Sequence, residues 1–159
     1  MRRFLPAAVA LALLAGCGFH LRGSAPLPAV VATPFIETED RYTPLYAALD
    51  QRLRVAGARP VATATEASLV IRLHLDDTGR ALLSVTADNK PGEYEVYYAA
   101  EFSVMSGAAE LIARNPVKLT RDYGYDESAV LAKEHEEASL RTALAGEIAD
   151  LIMRRLAAL

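Results

Sequence analysis

Leu69-Val70-Ile71-Arg72-Leu73-His74-Leu75-Asp76-Asp77-Thr78-Gly79-Arg80-Ala81-Leu82-Leu83-Ser84-Val85-Thr86-Ala87 is the stretch on which the fold turns. Leu69, Ile71, Leu73 and Leu75 alternate with Val70, Arg72 and His74, the period-two pattern of a strand with one apolar face. His74 falls on the mixed face and reads as a solvated or hydrogen-bonded strand histidine, not a catalytic one. Asp76-Asp77-Thr78-Gly79 then breaks the pattern, which resumes as Leu83, Val85 and Ala87. The tetrad has the chemistry of a hairpin turn, because Asp and Gly both suit tight reversals. It also suits a bulge that bends one long strand without ending it.

Downstream, Asp88-Asn89-Lys90-Pro91-Gly92 is a turn by composition. Tyr94, Val96, Tyr98, Ala100, Phe102 and Val104 follow in strict alternation with Glu93, Glu95, Tyr97, Ala99, Glu101 and Ser103. One face is core. The other carries three carboxylates, as the exposed face of an antiparallel strand often does. Ser106-Gly107 turns the chain again. A last strand from Leu111 is dented at Asn115-Pro116, with Val117, Leu119, Arg121, Tyr123 and Tyr125 on one side and Lys118, Thr120 and Asp122 on the other. Arg121 sits among apolar positions and so needs a partner or an edge.

From about Glu127 to Leu156, Val130, Leu131, Leu140, Leu144, Ile148, Leu151, Ile152 and Leu156 mark an amphipathic helix. Arg154 and Arg155 suit the negative end of its dipole. Upstream, Ala29–Ile36 reads as a first strand, with Pro34 at an edge or an early end. Thr43-Pro44 reads as an N-cap followed by proline at the first helical position. Leu45, Leu49, Leu53 and Ala56 make the buried stripe of that helix, and Gly57 is its stop.

The chain of 159 residues opens with Arg2 and Arg3, an apolar run from Phe4 to Leu14, and Leu14-Ala15-Gly16-Cys17. The run is about half of the ~20 residues needed to span a bilayer. With its basic start and small-residue end it reads as a cleaved signal, residues 1–16. Leu-Ala-Gly-Cys has the form of a bacterial lipobox, which makes Cys17 the lipidation site. Several acyl chains, at ~0.8 kcal/mol per buried CH2, hold effectively permanently. Gly18 in place of Asp points to the outer membrane. Residues 17–28, with Pro26 and Pro28, form a lipidated linker, and residues 29–159 a single domain. Cys17 is the only cysteine, so no intrachain disulfide can form. Loss of Arg2 and Arg3 leaves 15 basic against 20 acidic side chains, a balance that argues against nucleic acid as a partner.

Cys17-Gly18-Phe19-His20-Leu21-Arg22-Gly23 carries a more specific signal. It resembles the mature start of the LptE family of lipopolysaccharide-assembly lipoproteins, Cys-Gly-aromatic-His-Leu-Arg. Glu93-Tyr94 at a strand start and Leu131-Ala132-Lys133 at the opening of the last helix are similar to that family too. The resemblance implies an α+β fold with two helices on one face of a four-stranded mixed sheet, in the order strand-helix-strand-strand-strand-helix. It therefore favours one long bent strand through Asp76–Gly79. It implies a seat inside the outer-membrane barrel LptD, and contact between basic sheet and hairpin residues and lipopolysaccharide. Lys118 stands at one such place. The hairpin counterpart falls on Ala87, which is not basic, and Lys90, three residues on, is the candidate replacement. Lipid phosphates want cations and hydrogen-bond donors. Longer members carry a low-complexity C-terminal tail, whose role is not expected here.

A different outer-membrane lipoprotein acting as a periplasmic adaptor would share the lipobox without needing Phe19-His20-Leu21-Arg22. A hydrolase is disfavoured: there is no Gly-x-Ser-x-Gly elbow, no metal-ligand cluster and no phosphate loop. His135-Glu136-Glu137-Ala138-Ser139 lacks the second histidine of the zinc motif. No catalytic residue, metal or cofactor is expected.

Overall fold

Thr43 and Pro44 begin the first helix as their chemistry requires. In the computed structural model, which describes residues 27–159, helix α1 runs Pro44–Val55. The Thr43 hydroxyl accepts from the Tyr46 amide at 3.1 Å. The helix ends in a Schellman motif: Gly57 takes φ +89°, its amide donates to the Arg54 carbonyl, and the Ala58 amide donates to that of Leu53. Leu45, Leu49 and Leu53 are fully buried. The signal, Cys17 and the linker up to residue 26 lie outside the described residues.

Four strands, β1 (Pro34–Glu37), β2 (Leu69–Val85), β3 (Pro91–Ser106) and β4 (Ala109–Gly124), form one sheet in the order β1-β2-β3-β4. β1 lies parallel to β2, with α1 in the connection between them, and the other pairs are antiparallel. Helix α2 (Val130–Leu156) packs beside α1 and over β3 and β4. Leu144, Ile148, Ile152 and Leu156 join Ile71, Val96, Tyr98, Phe102 and Val104 in one core between helices and sheet. The α+β arrangement of two helices on one sheet face is thus the observed one, and among the described residues the other sheet face carries no helix.

β2 is a single strand of 17 residues, so Asp76–Gly79 is not a turn. The tetrad pairs regularly with Ala100, Ala99, Tyr98 and Tyr97. The irregularity sits earlier: Leu73 pairs with Phe102 and Leu75 with Glu101, which leaves His74 as the extra residue of a bulge. One inserted residue inverts the alternation. Leu75, expected beside Leu73 in the core, is instead turned to the helix-free face with Glu101 and is half-exposed. Asp76 is brought to the helix side, where its carboxylate accepts from the Thr43 hydroxyl at 2.6 Å and the Tyr98 hydroxyl at 2.7 Å. A second irregularity between Leu82 and Ser84 leaves Leu83 unpaired.

Two further expectations are corrected. Ala29–Val31 is a 3-10 turn rather than strand, and Pro34 opens β1 instead of ending it early, although β1 is the edge strand that the proline also suggested. The turn buries Val31 in the core and lets the Val30 carbonyl accept from the Ser68 hydroxyl at 2.7 Å. Val130 and Leu131 do not belong to the buried stripe: Leu131 is 75% exposed, and the buried face of α2 begins at Glu137. The first turns of this helix lie past the main packing contact, so their periodicity finds nothing to pack against. The dent expected near Asn115-Pro116 is a bulge: Phe102 pairs with Asn115 and Val104 with Ile112, leaving Ala113 and Arg114 without partners in the register. Arg121 does find a partner, the Glu147 carboxylate on α2.

Candidate functional site

The helix-free face is where residues outside the core gather. Val70, Arg72, Asp77 and Gly79 of β2, then Ser103, Glu101, Ala99, Tyr97 and Glu95 of β3, line it in register with Lys118, Thr120 and Asp122 of β4. Lys118 stands opposite Ala99 and is exposed. Its ammonium lies 5.0 Å from the centroid of the Tyr97 ring, a cation-π contact. Among the described residues none of the ion pairs includes Lys118.

Tyr97 is held flat by what lies under it. A Cβ built on Gly79, its cross-strand partner, would come 2.6 Å from the Tyr97 hydroxyl oxygen and 2.8 Å from Cζ. Only a glycine lets the ring lie there. The hydroxyl then donates to Asp77 Oδ2 at 3.2 Å. The charge of Asp77, followed by that hydrogen bond, raises the Tyr97 hydroxyl above its ordinary value. Gly79→Ala is expected to lose at most about 1 kcal/mol, the low end of overpacking, because the half-exposed Tyr97 ring can turn aside. In a Tyr97→Ala background the same change should be neutral or gain about 0.5–1 kcal/mol, the ordinary benefit of removing a strand glycine. Urea denaturation of the four proteins checks this, and equal losses in both backgrounds would refute the ring-over-glycine account.

Lys90 is elsewhere. It follows Asn89, which takes φ +59° at the tip of the β2–β3 hairpin, and its ammonium donates to Glu127 Oε2 at 2.6 Å. That hydrogen bond, with the charge of Glu127, raises the Lys90 ammonium. The lysine therefore straps the hairpin tip to the chain just before α2. Along β3, Ala99 opposite Lys118 and Pro91 beside the tip are separated by about 26 Å at ~3.3 Å per residue. The two lysines are not brought together around a single anion. Ala87 also lies in the tip turn, and Cys17 lies outside the described residues.

A third cluster occupies the opposite end of the same face. Arg114 Nη2 donates to His74 Nδ1 at 2.8 Å, so the neutral ring carries its proton on Nε2 and donates to Ser103 Oγ, also at 2.8 Å. Burial first, then Arg114, lowers the His74 pKa. A serine nucleophile needs the reverse polarity, a ring nitrogen that accepts its proton. This pair gives Ser103 no base.

The family model described as "LptE: Lipopolysaccharide-assembly" matches residues 33–156. The chain belongs to the LptE family. An LPS-assembly lipoprotein LptE of Pectobacterium atrosepticum is 28% identical over 149 residues, covering 93% of this chain and 80% of that protein. One from Yersinia enterocolitica is 27% identical, with coverages of 93% and 72%. Among solved structures, rare lipoprotein B from Shewanella oneidensis superposes with a TM-score of 0.68 at 28% identity, over 79% of this chain and 94% of that one. Lipoprotein B from Nitrosomonas europaea gives 0.71 at 24% identity, over 89% and 91%, and shares the fold.

In this LptE-family domain one polar cluster lies on the helix side. Glu137 of α2 is 9% exposed. Its Oε2 accepts from Arg80 Nη1 and the Tyr123 hydroxyl, each at 2.8 Å, and its Oε1 accepts from Arg141. The Arg80 guanidinium also lies 4.8 Å from the Tyr94 ring centroid. Sequence reading placed Tyr123 on a strand face, took Glu137 for part of a solvated charged face, which its burial corrects, and passed over Arg80 and Arg141, because Arg80 and Glu137 are 57 positions apart. It also read Gly79 as part of a turn or bulge signal. The strand register is what reveals that Gly79 faces Tyr97.

Proposed function

We propose that this chain is a lipid-anchored outer-membrane lipoprotein that seats inside the LptD barrel, assists its assembly and helps pass lipopolysaccharide to the cell surface, without catalysis or cofactor. In this reading residues 1–16 are removed, Cys17 carries the acyl chains, residues 17–28 are the linker, and residues 29–159 form the working domain on the periplasmic side. The observation that carries it is the family match across nearly all of the helix-backed sheet. The helix-free face supports it, because that face presents a cation on an aromatic ring.

Lys118 is the first contact for a lipopolysaccharide phosphate. Its ammonium rests on the Tyr97 ring, and among the described residues it has no carboxylate to displace. Lys90 must release Glu127 before it can engage an anion, a small cost for an exposed pair. Glu95 and Asp122, directly opposite each other toward the hairpin, confine anionic groups to the Lys118 region of the face.

The test is a pull-down of the tagged lipoprotein from detergent-solubilised outer membrane of its native host, with mass analysis. One large barrel protein at about equal stoichiometry is expected. Soluble periplasmic partners in its place would transfer the reading to an adaptor. Lys118→Glu should lower lipopolysaccharide capture at least tenfold and leave the melting temperature unchanged. Unchanged capture would remove Lys118 from the site.

A further inference from the structure

β1 pairs with β2 only from Leu69 to Arg72. Among the described residues, the outer side of β2 has no neighbouring strand from Leu73 to Val85. A strand edge presents a row of unpaired amides and carbonyls, and proteins normally blunt such edges with proline, lysine or bulges. The opposite edge, β4, is blunted in all three ways: Pro116, Lys118, and the bulge at Ala113 and Arg114. The early part of the β2 edge is protected too, by the bulge at His74 and by Asp76, Asp77 and Arg80. Ala81-Leu82-Leu83-Ser84-Val85 has no charge and no proline, and the irregular register around Leu83 and Ser84 is its one protection. Leu82, Leu83 and Val85 are 50%, 48% and 56% exposed.

We propose that Ala81–Val85 is a strand-addition site, where an extended aliphatic segment of the barrel protein pairs backbone to backbone with the free edge of β2. The proposal rests on the seating described above and names the element through which it is made. Main-chain pairing supplies the attraction, and the three aliphatic side chains supply the register. A second copy of the chain fits less well. Two copies joined edge to edge would lengthen the sheet and leave Leu82, Leu83 and Val85 facing water. A segment belonging to an enclosing partner covers the edge and the side chains together.

Amide hydrogen exchange of the full lipoprotein, alone and in its purified barrel complex, tests the proposal. Within residues 81–85, alternate amides should exchange rapidly in the free protein and at least tenfold more slowly in the complex. A stable complex without that slowing overturns the strand-addition site and leaves the seating intact. No complex at all overturns both. Slowing that is already present in the isolated chain, and that rises with its concentration, overturns the proposal in favour of a second copy. As a side-chain readout, Leu83→Lys should cut the barrel recovered by pull-down at least tenfold with an unchanged melting temperature. Leu111→Lys on the β4 edge should not.

Discussion

Tyr98→Ala is expected to destabilise the domain by about 5 kcal/mol. Truncating a buried aromatic costs roughly 3–5 kcal/mol in transfer and cavity terms. Tyr98 is fully buried, between α1 and the sheet. Its hydroxyl also joins two elements: it donates to Asp76 Oδ1 at 2.7 Å and accepts from the Leu45 amide at 3.2 Å. The Leu45 amide is one of the first-turn donors of α1 that have no partner within the helix. Removing the hydroxyl strands that donor and leaves Asp76 with Thr43 alone, which adds about 1–3 kcal/mol. Burial, reinforced by Asp76, pushes the Tyr98 hydroxyl far above its ordinary value, so it stays a donor throughout the working pH range. Tyr98→Phe, which keeps the ring, should lose only the hydroxyl part. Chemical denaturation of both variants checks this. Equal losses would mean the ring contributes nothing, contrary to its burial.

Glu137→Gln is expected to cost about 2–3 kcal/mol. Breaking a buried ion pair costs about 3–5 kcal/mol. The figure is lower here because the Arg80 and Arg141 side chains keep 45% and 32% of their surface and can turn to water. The variant should also change the acid limb of stability. Burial alone would raise the Glu137 carboxyl. The Tyr123 hydroxyl and the Arg80 and Arg141 guanidiniums outweigh it and hold the carboxyl below its usual range. A carboxyl depressed in the folded state stabilises at pH above its unfolded value of about 4.3 and loses that contribution as the pH falls through the folded value. The melting temperatures of the native protein and Glu137→Gln should therefore differ at neutral pH and converge below about pH 4. A constant gap down to pH 3 would show that the carboxylate charge is not what the arginines read.

The limits of sequence reading show in particular residues. α1 was legible to its caps, because Thr43, Pro44 and Gly57 act within one helical turn of where they stand. β3 was legible because its alternation runs without interruption from Tyr94 to Val104. β2 was legible as one strand only through the family resemblance, and its bulge was misplaced. The polar tetrad at Asp76 drew attention, while the inserted residue was His74, which keeps the apparent alternation intact. Leu131 was placed in the core because periodicity reports which face of a helix is apolar, not how far along the helix its partner extends.

The amino-acid sequence by itself determined the processing signal as a pattern, the helix ends, the hydrophobic faces of α1 and β3, and the LptE resemblance. Each depends on neighbours within a few residues, or on a linear motif. Only the tertiary structure decided which face of β2 meets the helices, that Tyr97 lies across Gly79 beneath Lys118, that Lys90 is tied to Glu127, and that Glu137 gathers Arg80, Arg141 and Tyr123. The physical reason is register. In a sheet one inserted residue exchanges the two faces for everything beyond it, and whether the backbone makes that insertion is settled by contacts tens of residues away.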